Sequence, residues 1–233
     1  MKRSVAVAVS FVVVVSACGS SEQEPTEPTS VPAVVEAEVA RPLADLPPRE
    51  RLGGAYRIVE AGLPPAEAVS QLGDVLQAEV AEPSPGRRFG WLEYSETLQE
   101  AYMAAMVGLG PDAVPEIRRR AATADGVVRA WYVVALGYLG EDVDEDLLVL
   151  LADPPSRPVA AHVMELAGRL RLEAAVPMLE DYLRDDYSVQ DPHRPDRPPD
   201  YPMRDHAAAA LRELGFAVAS DRDRPGEYLV VAP

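Results

Sequence analysis

The amino-acid sequence predicts an all-α fold in which about five helix pairs stack side by side and a small β-hairpin closes the C-terminal end. Three observations carry that expectation. Five segments place apolar residues at the same i, i+4, i+7, i+11 spacing: Leu52/Tyr56/Val59/Leu63, Leu98/Tyr102/Ala105/Leu109, Val128/Tyr132/Ala135/Leu139, Val159/Val163/Leu166/Leu170 and Met203/Ala207/Ala210/Leu214. That spacing sets four side chains on one face of an α-helix. Ser95, Asp125, Ser156 and Asp200 stand three residues ahead of the last four segments, and Ser and Asp oxygens accept from the orphan N–H groups of a helix start. Gly110, Gly140 and Gly215 follow the closing leucine of their segments, where glycine commonly stops a helix. The segments begin 46, 30, 31 and 44 residues apart. The middle intervals suit a two-helix repeat, and the outer two suit the same unit with about 15 extra residues.

The chain opens on Met1-Lys2-Arg3, followed over residues 5–15 by an apolar run broken only by Ser10. The run is shorter than the roughly 20 apolar residues that span a bilayer and fits the middle of a secretory signal. Val15-Ser16-Ala17-Cys18 ends it with the only cysteine of the chain. These four residues resemble the lipobox of bacterial lipoproteins, with Val15 in place of the usual leucine. The resemblance implies a signal peptide over residues 1–17, lipid attachment at Cys18, and a home in the bacterial cell envelope on the extracytoplasmic side of a membrane. Burial of acyl chains contributes about 0.8 kcal/mol per CH₂, and one chain alone binds marginally. Two or three chains on one cysteine make a stable anchor. No second cysteine is present for a disulfide, so packing alone holds the fold.

Residues 18–48 read as the lipidated cysteine and a Pro-, Glu- and Ser-rich tether. Little before Val31 can be buried, and prolines stand at 32, 42, 47 and 48, which predicts disorder. A flexible coil of that length spans roughly 30 Å. A short helix over residues 34–40 is compatible with its pattern. The repeat domain then covers 49–233, with second helices of the pairs at 64–81, 112–124, 143–152 and 173–184. Val143, Leu147, Leu150 and Leu151 share a helical face, as do Val176, Leu179 and Leu183. Pro115 and Pro177 fall near helix starts, where a missing N–H costs little. The last segment has no second helix. Residues 216–219 and 228–231 are strand-like runs around a polar turn at 221–226. A hairpin over 216–231 would cover the end of the stack, which needs something other than another copy.

Two stretches carry a family resemblance. They are Asp125-Gly-Val-Val128-Arg129 with Ala135-Leu136-Gly137-Tyr138-Leu139-Gly140, and Asp200-Tyr-Pro-Met203-Arg204 with Ala210-Leu211-Arg212-Glu213-Leu214-Gly215. This pattern is similar to the HEAT-like repeats of the phycobilisome-lyase type. The resemblance covers residues 95–215 well and 49–82 weakly, and departs where Gln99 and Ala160 replace Arg129. It implies a right-handed α-solenoid of about five HEAT-like helix pairs. Some metal-dependent hydroxylases with such repeats use adjacent His-Glu pairs, which this chain lacks. The lyase activity belongs to particular relatives, and a fold does not imply a function.

The formal charge is −16, and −18 once Lys2 and Arg3 leave with the leader. Nucleic-acid affinity comes from neutralising phosphates, so no nucleic acid is expected as a partner. An acidic surface also resists anionic lipid. No catalytic set is legible, and neither a metal nor a cofactor is expected. His162, His193 and His206 form no pair or cluster with zinc-ligand spacing. His162 and His206, each one residue ahead of an apolar position, read as packing or edge residues. Glu141-Asp-Val-Asp-Glu-Asp146 reads as the acidic start of a helix, at the positive end of its dipole. The turn from Asp221 to Gly226 imitates half a calcium loop, but Ala232 stands where a bidentate glutamate is needed.

The two insertions are the better candidates. Residues 82–91 hold Arg87, Arg88, Phe89 and Trp91, and residues 187–199 hold Tyr187, His193, Arg194 and Arg197 among prolines. Each joins the second helix of one pair to the first of the next. In a stack both project from the same edge, although 105 residues separate their starts. Arg, Trp and Tyr dominate binding hot spots, and proline lowers the entropy lost on docking. The expected function is a membrane-anchored protein-interaction scaffold whose partner is another protein of the cell envelope. The alternatives are an envelope enzyme or cofactor-handling protein of an unrecognised type, and a purely structural assembly factor.

Overall fold

The computed structural model describes residues 43–86, 88, 90–191, 194, 196–220 and 226–231, the side chains of 44, 48, 49 and 231 excepted. Among them nine α-helices follow in order: α1 (Pro48–Glu60), α2 (Pro65–Ala81), α3 (Tyr94–Gly108), α4 (Val114–Ala121), α5 (Gly126–Tyr138), α6 (Asp144–Ala152), α7 (Arg157–Arg169), α8 (Val176–Tyr182) and α9 (Pro202–Glu213). Strands β1 (Ala217–Ser220) and β2 (Tyr228–Val231) then form an antiparallel hairpin, with Ala217 opposite Val231 and Ser220 opposite Tyr228. The expected mostly helical fold with a C-terminal hairpin is present. The leader, Cys18, the helix considered at 34–40 and most of the 221–226 turn lie outside the described residues. No described helix is long and apolar enough to cross a membrane.

The odd-numbered helices form a row, α1 packing on α3, α3 on α5, α5 on α7 and α7 on α9. The even-numbered helices flank it: α2 lies on α3 and α4, α4 on α5, α6 on α7, and α8 on α9. The apolar spacing explains the row. In the last four segments the first three positions are all buried, from Leu98, Tyr102 and Ala105 through Met203, Ala207 and Ala210. Close approach helps as well: a Cβ added at Gly168 of α7 would lie 3.0 Å from the Cα of Ala210 on α9.

The first segment departs from expectation. Tyr56 is 51% exposed, and α1 buries Ala55 and Ile58 instead. The packed unit also starts before residue 49, because Leu43 is buried in the core and forms a 3-10 turn, Leu43–Asp45, ahead of α1. The Leu46 carbonyl accepts from Arg51 Nε at 2.9 Å. Residues from Leu43 onward therefore belong to the packed unit, where the sequence predicts a tether up to residue 48.

Helix ends divide into expected and unexpected. Gly140 and Gly215 adopt left-handed φ after their leucines, and each end carries the paired backbone bonds of a Schellman motif, Glu141 N to Leu136 O and Phe216 N to Leu211 O. α7 has the same bonds with Arg171 in the left-handed position, at φ 56°. At the starts, Ser156 caps α7 through its hydroxyl, and Asp125 occupies the cap of α5 without a side-chain bond. Ser95 and Asp200 are corrections. Glu93 and Glu96 form a capping box that starts α3 ahead of Ser95, which is buried inside the helix. Asp200 is held in a backbone pair with Val189, so α9 starts after Tyr201, with Pro202 at its first position. The acidic run behaves as expected: Asp144, Glu145 and Asp146 occupy the first turn of α6, and Arg129 pairs with Asp146 at 2.6 Å.

Candidate interaction site

The first insertion is fastened at both ends. Glu79 sits on the face of α2 that also carries Leu72 and Leu76, and its side chain has no exposure. It accepts from the Ser84 backbone N–H at 2.7 Å and from Ser84 Oγ at 2.8 Å, and Arg51 Nη1 of α1 stands 3.4 Å away. The Tyr102 hydroxyl is buried nearby, and burial raises its proton affinity. At the far end Arg88 Nε donates to Glu93 at 2.5 Å, while both side chains stay about half exposed.

The second insertion is closed at its base by the Val189–Asp200 pair, with N–H to carbonyl distances of 2.9 Å in both directions. Gln190 Nε2 ties down its tip by donating to the carbonyls of Arg194 and Arg197, at 3.1 and 3.0 Å. The Tyr187 ring lies under the Arg157 guanidinium of α7, 4.0 Å from ring centre to Cζ. The Tyr187 hydroxyl donates to the Trp91 carbonyl at 3.3 Å, joining the two insertions across 96 residues of chain.

Beneath this junction an aromatic and polar strip runs along one side of the helix row. The Trp91 ring meets His206 of α9 edge-on, with centroids 6.0 Å apart. His162 of α7 lies with Nδ1 2.8 Å from the Tyr138 hydroxyl and Nε2 3.3 Å from Glu100 of α3. Its ring also meets that of Trp131, whose Nε1 donates to Gln99 at 3.0 Å. Burial, and then the neighbouring His162, push the His206 pKa below the usual histidine value, against the pull of Glu165, Asp205 and Glu100. Burial first and Glu165 second hold the Tyr138 hydroxyl protonated. A hydroxyl held that way is a poor nucleophile. Among the described residues no group of three His, Cys, Asp or Glu side chains could hold a metal.

Of the residues singled out in the sequence, Trp91 and Tyr187 are brought together, with Arg88 on the same insertion as Trp91. Arg194 and Arg197 are exposed on the second insertion. Arg87, Phe89, His193 and Cys18 lie outside the described residues. Sequence reasoning missed Arg157, Glu79 and the contact of His206 with Trp91 of the first insertion. Glu79 carried a legible signal, because Leu72/Leu76/Glu79 repeats the apolar i, i+4, i+7 spacing with a charge in its third place. Nothing marked Arg157, whose role depends on where Tyr187 falls. No family model matches the chain, and neither a curated protein nor a solved structure matches it.

Proposed function

We propose that the protein is a lipid-anchored scaffold of the bacterial cell envelope that holds another envelope protein on the edge formed by its two insertions. One observation carries this reading: the Tyr187 hydroxyl on the Trp91 carbonyl, which makes one surface of two segments distant in the chain. Ordering a residue costs about 1–2 kcal/mol, and the described residues of these insertions are held by specific bonds at their bases and at their junction. A surface ordered in advance loses less entropy when a partner docks. It offers Arg88, Arg194 and Arg197 together with the Arg157–Tyr187 stack, on a chain whose formal charge is −16.

The architecture we assign is a right-handed α-solenoid of HEAT-like pairs. The odd-numbered row supplies the first helices, and the C-terminal hairpin is its cap. Cys18 and the tether would hold this edge roughly 30 Å from the membrane. In this reading the chain needs no cofactor, is not an enzyme and binds no nucleic acid. The test is in-cell crosslinking with mass spectrometry on the wild type and an Arg88→Ala/Arg194→Ala/Arg197→Ala variant. A specific envelope partner that is lost in the variant supports the edge. A partner retained in full moves binding elsewhere on the molecule. Cys18→Ser should abolish detergent-phase partitioning, and a variant that still partitions would overturn the anchor.

A further inference from the structure

We propose that the outer edge of β2 is a second binding site, which takes an extended peptide of alternating apolar and basic residues as a third strand. The site shares no residue with the insertion edge and does not depend on it. The hairpin has two strands, and β2 has β1 on one side and no strand on the other among the described residues. A cleft of about 590 Å³ lies beside β2, within the size range of ligand sites. Tyr228, Leu229 and Val230 line it in succession, and no residue of β1 does. Successive side chains of a strand point to opposite faces. Three successive residues on one wall, without their cross-strand partners, make that wall the edge of the strand. Its backbone N–H and C=O groups therefore face the cleft.

The opposite wall comes from α8 and the segment after it, with Leu183 and Glu180. Arg204 of α9 holds the two walls at a set distance. Its Nε donates to the Asp185 carbonyl at 2.6 Å on one side, and its Nη1 to the Gly226 carbonyl at 3.0 Å on the other. The cleft is thus built before anything enters it. Natural edge strands are usually blunted by charge, proline or a covering element, and Tyr228-Leu229-Val230-Val231 carries neither charge nor proline. Leu229 is 55% exposed, one of few large apolar side chains so placed. A two-stranded hairpin also gains from a third strand.

Strand addition draws affinity from main-chain bonds and selectivity from alternate side chains. The apolar side chains of the guest meet Leu229. Its basic ones meet Glu180 and the outer face of Asp186, whose fully exposed carboxylate also stands 3.5 Å from Arg204. The cations of the cleft are already engaged, Arg184 with Asp181 at 3.4 Å and Arg204 with the two carbonyls and Asp186.

The experiment is selection of a random octapeptide phage library on the immobilised full chain, followed by fluorescence anisotropy and amide NMR with the selected peptides. The expected result is peptides that alternate apolar with Lys or Arg and shift the β2 amides. They should lose about tenfold in affinity when alternate amides are N-methylated, the equivalent of about 1.4 kcal/mol of main-chain bonding. Glu180→Lys, which changes one surface group and leaves the Arg204–Asp186 pair in place, should weaken the same peptides by a similar factor. The proposal is overturned if no sequence enriches, if N-methylated peptides bind equally well, if the amide shifts fall away from β2, or if light scattering shows the edge occupied by a second copy of the chain.

Discussion

Glu79→Ala is the sharpest perturbation this molecule offers, because one side chain ties the first insertion to the core. The carboxylate has no exposure and accepts two hydrogen bonds from Ser84, at 2.7 and 2.8 Å, with Arg51 3.4 Å away. Bonds to a charged group contribute about 1.5–3 kcal/mol each, and breaking a buried pair from one side costs about 3–5 kcal/mol. Arg51 is 20% exposed and keeps its bond to the Leu46 carbonyl, which puts the expected loss near the lower end, about 3–4 kcal/mol. That is a large share of the 5–15 kcal/mol typical of a domain. Urea unfolding followed by circular dichroism would show a lower midpoint at unchanged slope. Hydrogen exchange would rise across residues 82–93 and stay unchanged in α5 and α7. Glu79→Gln keeps an oxygen for the Ser84 N–H but turns an NH₂ toward a donor, so it should cost less, about 1–2 kcal/mol. A loss below about 1 kcal/mol for Glu79→Ala, or exchange unchanged in the insertion, would refute the reasoning.

Three further outcomes follow from the same structure. Leu166→Ala, at a side chain 1% exposed, should cost about 2–5 kcal/mol, whereas Leu170→Ala, 40% exposed, should cost under about 1; equal losses in urea unfolding would contradict the burial pattern. Arg171→Gly should raise stability by about 0.5–1 kcal/mol, since relief of the left-handed strain at φ 56° exceeds the added freedom of the unfolded chain; a lower melting temperature would count against the Schellman end of α7. The depressed pKa of His206 makes stability fall with pH. The contribution is full above the unfolded value of about 6.5 and is lost as pH drops through the folded value, because the unfolded chain takes up the proton first. Between pH 7.5 and 5.5 the urea midpoint of His206→Gln should fall less than that of the wild type, and parallel falls would sink the idea.

The helices were legible because their cause is local. Leu98/Tyr102/Ala105 and its later counterparts face the core through spacing alone, and the leucine–glycine ends stop their helices through backbone geometry that the neighbouring residues determine. What failed was competition between nearby partners. Ser95 is an adequate cap, but the Glu93–Glu96 pair starts the helix sooner, and Asp200 is taken by Val189. Tyr56 turns outward because α1 ends the row, where residues 43–46 pack beside Gly54 and reset the buried face. The shared edge of the insertions followed from connectivity. The Tyr187–Trp91 bond did not, since it depends on how the two insertions meet in space.

One side of the row bears on where a partner can sit. Glu100 of α3 lies 3.3 Å from His162 of α7, although α5 stands between those helices in the row. Side chains of α3 and α7 therefore meet across α5 on that side. One position in each of the last four segments, immediately before its second apolar residue, supplies Ala101, Trp131, His162 and His206. The last three make the ring contacts that line this side, and Trp91 of the first insertion closes over His206. That side is filled by the chain's own rings. A partner entering it would have to break the Trp91–His206 contact and the Tyr187–Trp91 bond together, dismantling the junction of the insertions. A partner on the insertion edge breaks neither and gains a surface whose described residues are already held, which is why the scaffold we propose would take its partner there and not on the ring-lined side.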